Sequence, residues 1–115
     1  KEPKKDEQLI SVDKFFSSKI QIGTIIKAET IEKSDKLLKL LVDIGEEKPR
    51  QILSAIKAYY DAKSLEGVQV CVVTNLKPAK IMGLESCGMV LTAEDKNGIT
   101  LISPQTLKDI GAVVK

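Results

Sequence analysis

Short apolar runs separated by turn-forming residues recur along this chain, and the first of them begins with alternating apolar and polar positions, which is the pattern of β-strands. A tight turn at Asn97-Gly98 leads into a further apolar stretch at 99–102, and residues 110–114 form a last short apolar run. The pattern therefore predicts a mostly β domain. Its five main strands are expected at residues 19–29, 37–43, 50–54, 68–74 and 89–93.

Two stretches have the pattern of short helices. Residues 9–17 are expected to form one, with Ser11 as the N-cap and with Phe15 and Phe16 anchoring the helix on the core. Residues 55–65, between the third and fourth strands, contain no β-run and predict a loop with a short helix.

The first strand is long, and Gly23 interrupts its alternation, so we expect a bend or bulge there. Strands that bend at a glycine turn the corners of small barrels. Five short strands with a helix between the third and fourth predict an all-β oligonucleotide/oligosaccharide-binding fold, a five-stranded Greek-key barrel. This domain is expected over residues 9–115, with a short N-terminal helix and a C-terminal strand extension.

Composition and charge narrow the classes of function. Eighteen basic and 16 acidic side chains give a net charge of +2, which is too small to indicate nucleic acid by itself. With no long apolar stretch and no signal peptide, the chain is expected to be cytoplasmic and to contact no membrane. Because it does not begin with Met, we expect a domain of a longer protein, with residues 1–8 as a linker or disordered tail.

The two cysteines, Cys71 and Cys87, do not have the spacing of metal ligands, and the chain has no histidine. We therefore expect no metal site and no cofactor. The sequence leaves a disulfide between the cysteines open, although a reducing cytosol disfavours one.

Residues 75–89 lie between two predicted strands and combine two lysines with a proline and two glycines, which allow an irregular backbone. Lys77 and Lys80, about 10 Å apart in an extended chain, could contact neighbouring phosphates. Pro78 cannot donate to a sheet, so the run is expected to be a sheet edge or an open loop. Ser86 could instead cap a turn, and Met89 could belong to the core. The candidate RNA-binding residues are Asn75, Lys77, Lys80, Ser86 and Met89, with Lys36 and Arg50 as secondary candidates.

Three stretches carry a family resemblance that runs from Ile10 to Val114. They are Ser34-Asp35-Lys36-Leu37, Val42-Asp43-Ile44-Gly45, and Asn75-Leu76-Lys77-Pro78-Ala79-Lys80 with Gly83-Leu84-Glu85-Ser86-Cys87-Gly88-Met89. They resemble the tRNA-binding domain at the C-terminus of many bacterial methionyl-tRNA synthetases, which also occurs free-standing and in eukaryotic synthetase cofactors. The resemblance implies a non-catalytic module that binds folded tRNA by backbone and shape and forms a homodimer through its C-terminal strands. It implies no small-molecule substrate.

The chain departs from this family at two places. The family's first strand commonly reads Asp-Leu-Arg-Val-Gly, where this chain has Lys19-Ile20-Gln21-Ile22-Gly23. An RNA contact or ion pair made by that arginine in relatives is therefore in question at Gln21. The chain also has Ser54-Ala55-Ile56 where the family often has a central glycine, which suggests a slightly different loop.

The few aromatic residues favour a folded RNA over a flexible single strand, because single-strand binders stack bases on several aromatic side chains. Two alternatives stay open: an assembly module with weak RNA binding, or a free-standing tRNA-binding protein. An enzyme is the least favoured class, since there is no phosphate-cradling Gly-rich loop and no nucleophile paired with a base.

Overall fold

The computed structural model describes residues 8–115, so the predicted linker lies outside the described residues except for Gln8. Most of the elements are β-strands. In chain order they are α1 (Val12–Phe15), β1 (Ile20–Thr30), β2 (Leu38–Asp43), β3 (Arg50–Ser54), a 3-10 helix (Ala62–Leu65), β4 (Gln69–Val73), β5 (Ala79–Ile81), β6 (Leu84–Ser86), β7 (Met89–Val90), β8 (Thr92–Asp95) and β9 (Gly98–Leu101). No helix in this part of the chain is long and apolar enough to cross a membrane.

Five strands form an antiparallel sheet in the order β3-β2-β1-β4-β7. β1, β2 and β3 follow one another as a meander, and β4 returns to lie beside β1, which is the Greek-key order. The segment before β7 then reaches the free edge of β3, where the Cys87 N–H donates to the carbonyl of Gln51 at 2.8 Å. The sheet is thereby nearly closed, and the predicted five-stranded Greek-key barrel is confirmed.

The barrel interior is filled by the inward-facing side chains of its strands. In β2, Leu38, Leu40 and Val42 are fully buried, while the residues between them are half-buried. The core consists of branched aliphatic side chains from several strands and from the 3-10 helix. Its largest fully buried members are Ile25, Leu38, Leu40, Ile52, Ile56, Leu65, Val42, Val70 and Val72.

The predicted hairpins and the short helix between the third and fourth strands are present, whereas the segments around residues 89–93 and 75–88 differ from expectation. β2–β3 and β8–β9 are hairpins, and the second turns within the predicted 95–98 segment: Lys96 and Asn97 connect the strands, while Gly98 already pairs with Asp95. The expected strand at 89–93 is divided into β7 and β8, because the chain leaves the barrel after β7 to form the separate β8–β9 sheet. The run expected as an edge or open loop contains its own two-stranded sheet, β5–β6.

The prediction of a bend or bulge at Gly23 was wrong in position. The irregularity in β1 falls between Ile25 and Lys27, whereas Gly23 lies in regular pairing opposite Val70. A Cβ at Gly23 would lie 2.6 Å from Val42 Cγ1, much closer than packed carbon atoms approach. The glycine is therefore needed for the close approach of the β1 backbone to the core.

The N-terminal helix is shorter than expected and is not anchored on the core. Ser11 caps it as predicted, accepting a hydrogen bond from the Lys14 N–H at 3.0 Å. Phe15 and Phe16 are 45% and 47% exposed, with their rings edge to face at 5.1 Å. The prediction that these two rings belong to the core was wrong, because the single helical turn lies at the surface and buries none of its residues.

The predicted last strand at 110–114 begins with a turn at Ile110-Gly111 and makes one isolated bridge to β1, between Val113 and Gln21. Ile20 and Ile22 exchange three backbone hydrogen bonds of 2.7 to 2.9 Å with this segment. Upstream, the Gln69 side chain accepts from the Lys108 N–H at 2.9 Å and donates to its carbonyl at 2.7 Å. The C-terminal extension therefore covers the part of the β1 edge that β2 leaves free.

Replacing Gly23 with Ala should destabilise the barrel by about 1 to 3 kcal/mol, since the new methyl group overlaps Val42. Urea unfolding measures this loss. In the double variant Gly23→Ala/Val42→Ala the overlap is relieved. The losses in unfolding free energy of the two single variants, Gly23→Ala and Val42→Ala, should therefore sum to more than the loss in the double variant. Strict additivity would contradict the packing explanation.

Candidate nucleic-acid interface

Residues 75–88 leave the end of β4 and form a small hairpin outside the barrel sheet. We call this segment the lysine arm. Its strands pair through Ala79–Ser86, Lys80–Glu85 and Ile81–Leu84, and the turn between them consists of Met82 and Gly83. The hairpin is a sheet of its own, so its position depends on how the two ends of the arm are attached to the barrel.

Asn75 fixes the start of the lysine arm. Its Oδ1 accepts from the Lys19 N–H at 2.8 Å, and its Nδ2 donates to the Ser17 carbonyl at 2.7 Å. Both ends of the amide are thus bonded to the backbone that enters β1. The residue is solvent-exposed, but its polar atoms already hold the arm against the N-terminal segment.

Ser86 fixes the other end of the arm from within the barrel wall. It is only 5% exposed, and its Oγ accepts from the Leu53 N–H at 3.0 Å and donates to the Gly88 carbonyl at 3.4 Å. This geometry is the turn-capping alternative that the sequence left open. The hydroxyl satisfies the free edge of β3 and is directed away from solvent.

Arg50 joins the two ends of the arm. Its Nε and Nη2 donate to the Glu46 carboxylate at 2.9 and 2.8 Å, and its Nη1 donates to the carbonyls of Thr74 at 2.6 Å and Cys87 at 3.2 Å. The hydrogen bonds between the two side chains raise the pKa of Arg50 and lower the pKa of Glu46. Because Thr74 directly precedes the arm and Cys87 lies near its end, one guanidinium ties its beginning to its end.

Lys77 and Lys80 point their charges to solvent. Both are exposed, and neither takes part in an ion pair among residues 8–115. Glu85 lies opposite Lys80 in the hairpin, but its carboxylate accepts a 3.6 Å hydrogen bond from the Cys87 thiol instead. Burial and this carboxylate raise the pKa of Cys87, so the thiol is protonated at neutral pH.

Exposed apolar side chains accompany these two lysines. Met89, predicted from the sequence, is half-exposed, and so are Leu76 and Met82, which sequence reasoning did not identify. The sequence does carry a signal for Met82. Met82 and Gly83 are the two residues between apolar Ile81 and Leu84, which is the spacing of a tight hairpin turn. The solvent side of the arm thus combines two free cations with apolar surface.

Lys36 lies on the loop between β1 and β2. The buried Ser34 shapes this loop, because its Oγ accepts from the N–H groups of Lys36 at 3.2 Å and Leu37 at 3.0 Å. Lys57 adds a hydrogen bond from its Nζ to the Ser34 carbonyl at 2.9 Å. Leu38, just after the loop, pairs with the last residue of β3, the strand whose free edge holds Ser86. The loop and the arm therefore both border β3, and the Lys36 side chain is exposed.

A second exposed surface lies beside the C-terminal extension. It is a groove of about 490 Å³ whose lining includes Gln21. Gln21 donates to the Gly111 carbonyl at 3.1 Å and accepts from the Thr74 hydroxyl at 2.8 Å, so it holds the extension in place. The groove is lined by Phe16, Ser18, Lys19, Ile20, Gln21, Val113, Val114 and Lys115.

Within residues 8–115 no cluster of His, Cys, Asp or Glu side chains has the arrangement of a metal site. The two cysteines are free thiols. The polar groups described above are instead bonded to one another and to the backbone. The chemistry that the interface offers is therefore charge and apolar contact.

The chain matches known proteins over nearly its whole length. The family model described as "Putative tRNA binding domain" matches residues 20–112. A methionine--tRNA ligase of Helicobacter pylori strain J99 is 47% identical over 114 residues, which are 99% of this chain and 17% of that protein. The chain thus spans about a sixth of the length of this curated relative.

Solved structures agree with the fold. A methionyl-tRNA synthetase-related protein from Pyrococcus horikoshii superposes with a TM-score of 0.87 at 37% identity, covering 95% of this chain and 100% of that one. The chaperone CsaA from Bacillus anthracis gives a TM-score of 0.84 at 24% identity, covering 94% of this chain and 100% of that one, and this likeness shows the fold alone.

Removing the guanidinium with Arg50→Met should lower the free energy of unfolding by about 1 to 3 kcal/mol, because two carbonyls and a carboxylate lose their donor. Chemical denaturation measures the loss. Lys48→Met, an exposed lysine in the same turn, is the matched control and should stay within about 0.5 kcal/mol of the parent.

The same ion pair predicts a pH dependence. Because the pKa of Glu46 is lower in the folded chain than in the unfolded chain, its stabilising effect is present at neutral pH and is lost as pH falls through the folded pKa. The effect should be small, since the pair is partly solvated. Glu46→Gln should make the acid limb of the stability profile shallower, and an unchanged limb would contradict the role of the pair.

Proposed function

Because the chain belongs to the tRNA-binding domain family, we propose that it is a non-catalytic module of a methionyl-tRNA synthetase that binds folded tRNA. The observation that carries the proposal is the lysine arm, whose base is held by Arg50, Asn75 and Ser86. The arm displays Lys77 and Lys80, which form no ion pair with any of residues 8–115. The 47% identity to a methionine--tRNA ligase supports the assignment of the parent protein.

The residues of the interface take two roles in this proposal. Lys77 and Lys80, with Lys36 on the neighbouring loop, contact phosphates, and Met89 contacts a sugar or base. The three polar residues at the base of the arm set its position rather than touch RNA, because their polar atoms bond to the protein's own groups. These positioning residues are Arg50, Asn75 and Ser86.

The locations of the aromatic side chains support recognition of folded RNA. Phe15 lies on α1 and Phe16 caps it, while Tyr59 covers Gly98, where a Cβ would lie 2.6 Å from the ring. Tyr60 bonds through its hydroxyl to Thr100 and to the Leu101 N–H. The lysine arm itself contains no aromatic residue, so it offers no platform of the kind on which single-stranded nucleic acids stack.

The double variant Lys77→Gln/Lys80→Gln should weaken tRNA binding and reduce the slope of log K against log salt by about 2, one for each lost phosphate contact. Fluorescence anisotropy with labelled tRNA at several salt concentrations measures both quantities. The matched control is Lys63→Gln/Lys96→Gln, which removes two exposed lysines that lie on the 3-10 helix and the β8–β9 turn.

Two results separate the specific interface from general charge. Loss of affinity only in the arm variant supports the lysine arm as the binding element. An equal loss in both double variants would contradict it, since binding would then depend on total charge alone.

The C-terminal groove favours a second function, assembly of two copies of this chain. Its apolar members Phe16, Ile20, Val113 and Val114 remain partly solvent-accessible, and Val113 is 68% exposed. We propose that a second copy covers this surface, so that the extension on β1 forms the dimer interface. Two copies would present two lysine arms to one RNA and would raise its apparent affinity.

Phe16→Glu or Val113→Glu should shift the chain from dimer to monomer, because each places a charge in the proposed interface. Sedimentation equilibrium measures the shift. Leu107→Glu, on the same extension but outside the groove and 82% exposed, is the control. Point substitutions are preferred to truncation, since the extension also bonds to β1. A wild-type chain that is monomeric at high concentration would contradict the assembly proposal.

A further inference from the structure

The turn of the lysine arm has an unusual residue for its backbone conformation. Met82 and Gly83 connect β5 to β6 as a two-residue turn with φ angles of 52° and 80°. Two positive φ angles are the mark of a type I′ turn, which strongly favours Asn, Asp or Gly at its first central position. Met82 is the only residue other than glycine with a positive φ among residues 8–115.

The protein's own packing does not explain a methionine at this position. Met82 is 52% exposed, and a Cβ added to the adjacent Gly83 would have no atom within 4 Å. The turn therefore extends into open space, away from the barrel. A strained, apolar and exposed residue points to a contact with a ligand.

The neighbours of Met82 indicate what kind of ligand it is. Lys80 and Lys77 lie on the same arm and form no ion pair among residues 8–115. The acid opposite Lys80, Glu85, accepts a hydrogen bond from the Cys87 thiol instead. A methionine side chain adapts its shape to irregular apolar surfaces. The combination fits a polyanion that also presents an apolar face, and an unstacked nucleobase has one.

We infer that Met82 packs on an unstacked nucleobase of the bound RNA while Lys77 and Lys80 hold the adjacent phosphates. This inference rests on the proposed tRNA-binding function and assigns the contact that reads an unpaired base. Fully paired A-form RNA buries its base faces in stacking, so the contact requires a loop, a bulge or an end.

The test uses two substitutions that separate the side chain from the turn. Met82→Asn removes the apolar contact and installs the Asn-Gly pair that a type I′ turn prefers, so the arm should fold at least as well. Affinity for tRNA should fall about fivefold, less than the loss of a full aromatic stack, with an unchanged salt slope. Met82→Leu keeps an apolar side chain and should bind within about twofold of the parent.

A fully paired RNA duplex of similar length serves as the second ligand. Met82→Asn should leave its affinity unchanged, because the duplex offers no free base face. Binding of tRNA by Met82→Asn at the parental affinity would overturn the inference, and so would an equal loss for tRNA and duplex, which would indicate a change in the shape of the arm.

The parental chain distinguishes this inference from the function on which it rests. If the parent binds tRNA through Lys77 and Lys80 and Met82→Asn does not weaken binding, only the base contact is overturned. If the parent does not bind tRNA at all, the proposed function and the base contact are both overturned.

Discussion

The closure of the barrel against β3 is the constraint on which the rest of the structure depends. β7 contains only Met89–Val90, so it cannot by itself cover the free edge of β3. The preceding residues complete the closure: the Ser86 hydroxyl accepts from the β3 backbone, and the Cys87 N–H donates to it. Arg50 then donates to the carbonyl of Thr74, just before the arm, and to that of Cys87, near its end. The same hydrogen bonds therefore close the barrel and fix the position of the lysine arm.

This coupling explains how a nearly neutral protein can present a cationic site. Residues that anchor the arm bond to the protein, while Lys77 and Lys80 are left for solvent. Asn75 extends the connection to the other surface, because it bonds to the backbone between α1 and β1, beside the groove that contains Phe16. The RNA-binding and assembly surfaces proposed for this chain thus meet at the junction of β1 and β4.

The strands and hairpins could be predicted from the sequence because alternation and turn residues are local signals. Gly23 was misassigned because a bulge and a close approach of backbone to core both select glycine, and only the position of Val42 separates them. Phe15 and Phe16 were expected to anchor the helix on the core because their side chains are large and apolar, but apolar residues also lie at surfaces.

The candidate site stays a prediction from its motif, while the contacts of its residues are visible only in three dimensions. Sequence alone does not show that the polar atoms of Ser86 and Asn75 are bonded internally, because their partners Leu53 and Ser17 are more than 30 residues away. It also does not show the positive φ of Met82, since the turn lacks the Asn-Gly pair that marks such turns. Roles that depend on distant partners or on backbone angles therefore escaped prediction.

The most direct test of the account is binding of this chain to total tRNA at about 50 and 200 mM salt, with an unstructured RNA of equal length as competitor. If about four phosphates are neutralised, affinity should fall roughly a hundredfold between the two conditions, and the unstructured RNA should not displace tRNA. A flat salt response, or ready displacement by the unstructured RNA, would contradict recognition of folded tRNA by charge and shape.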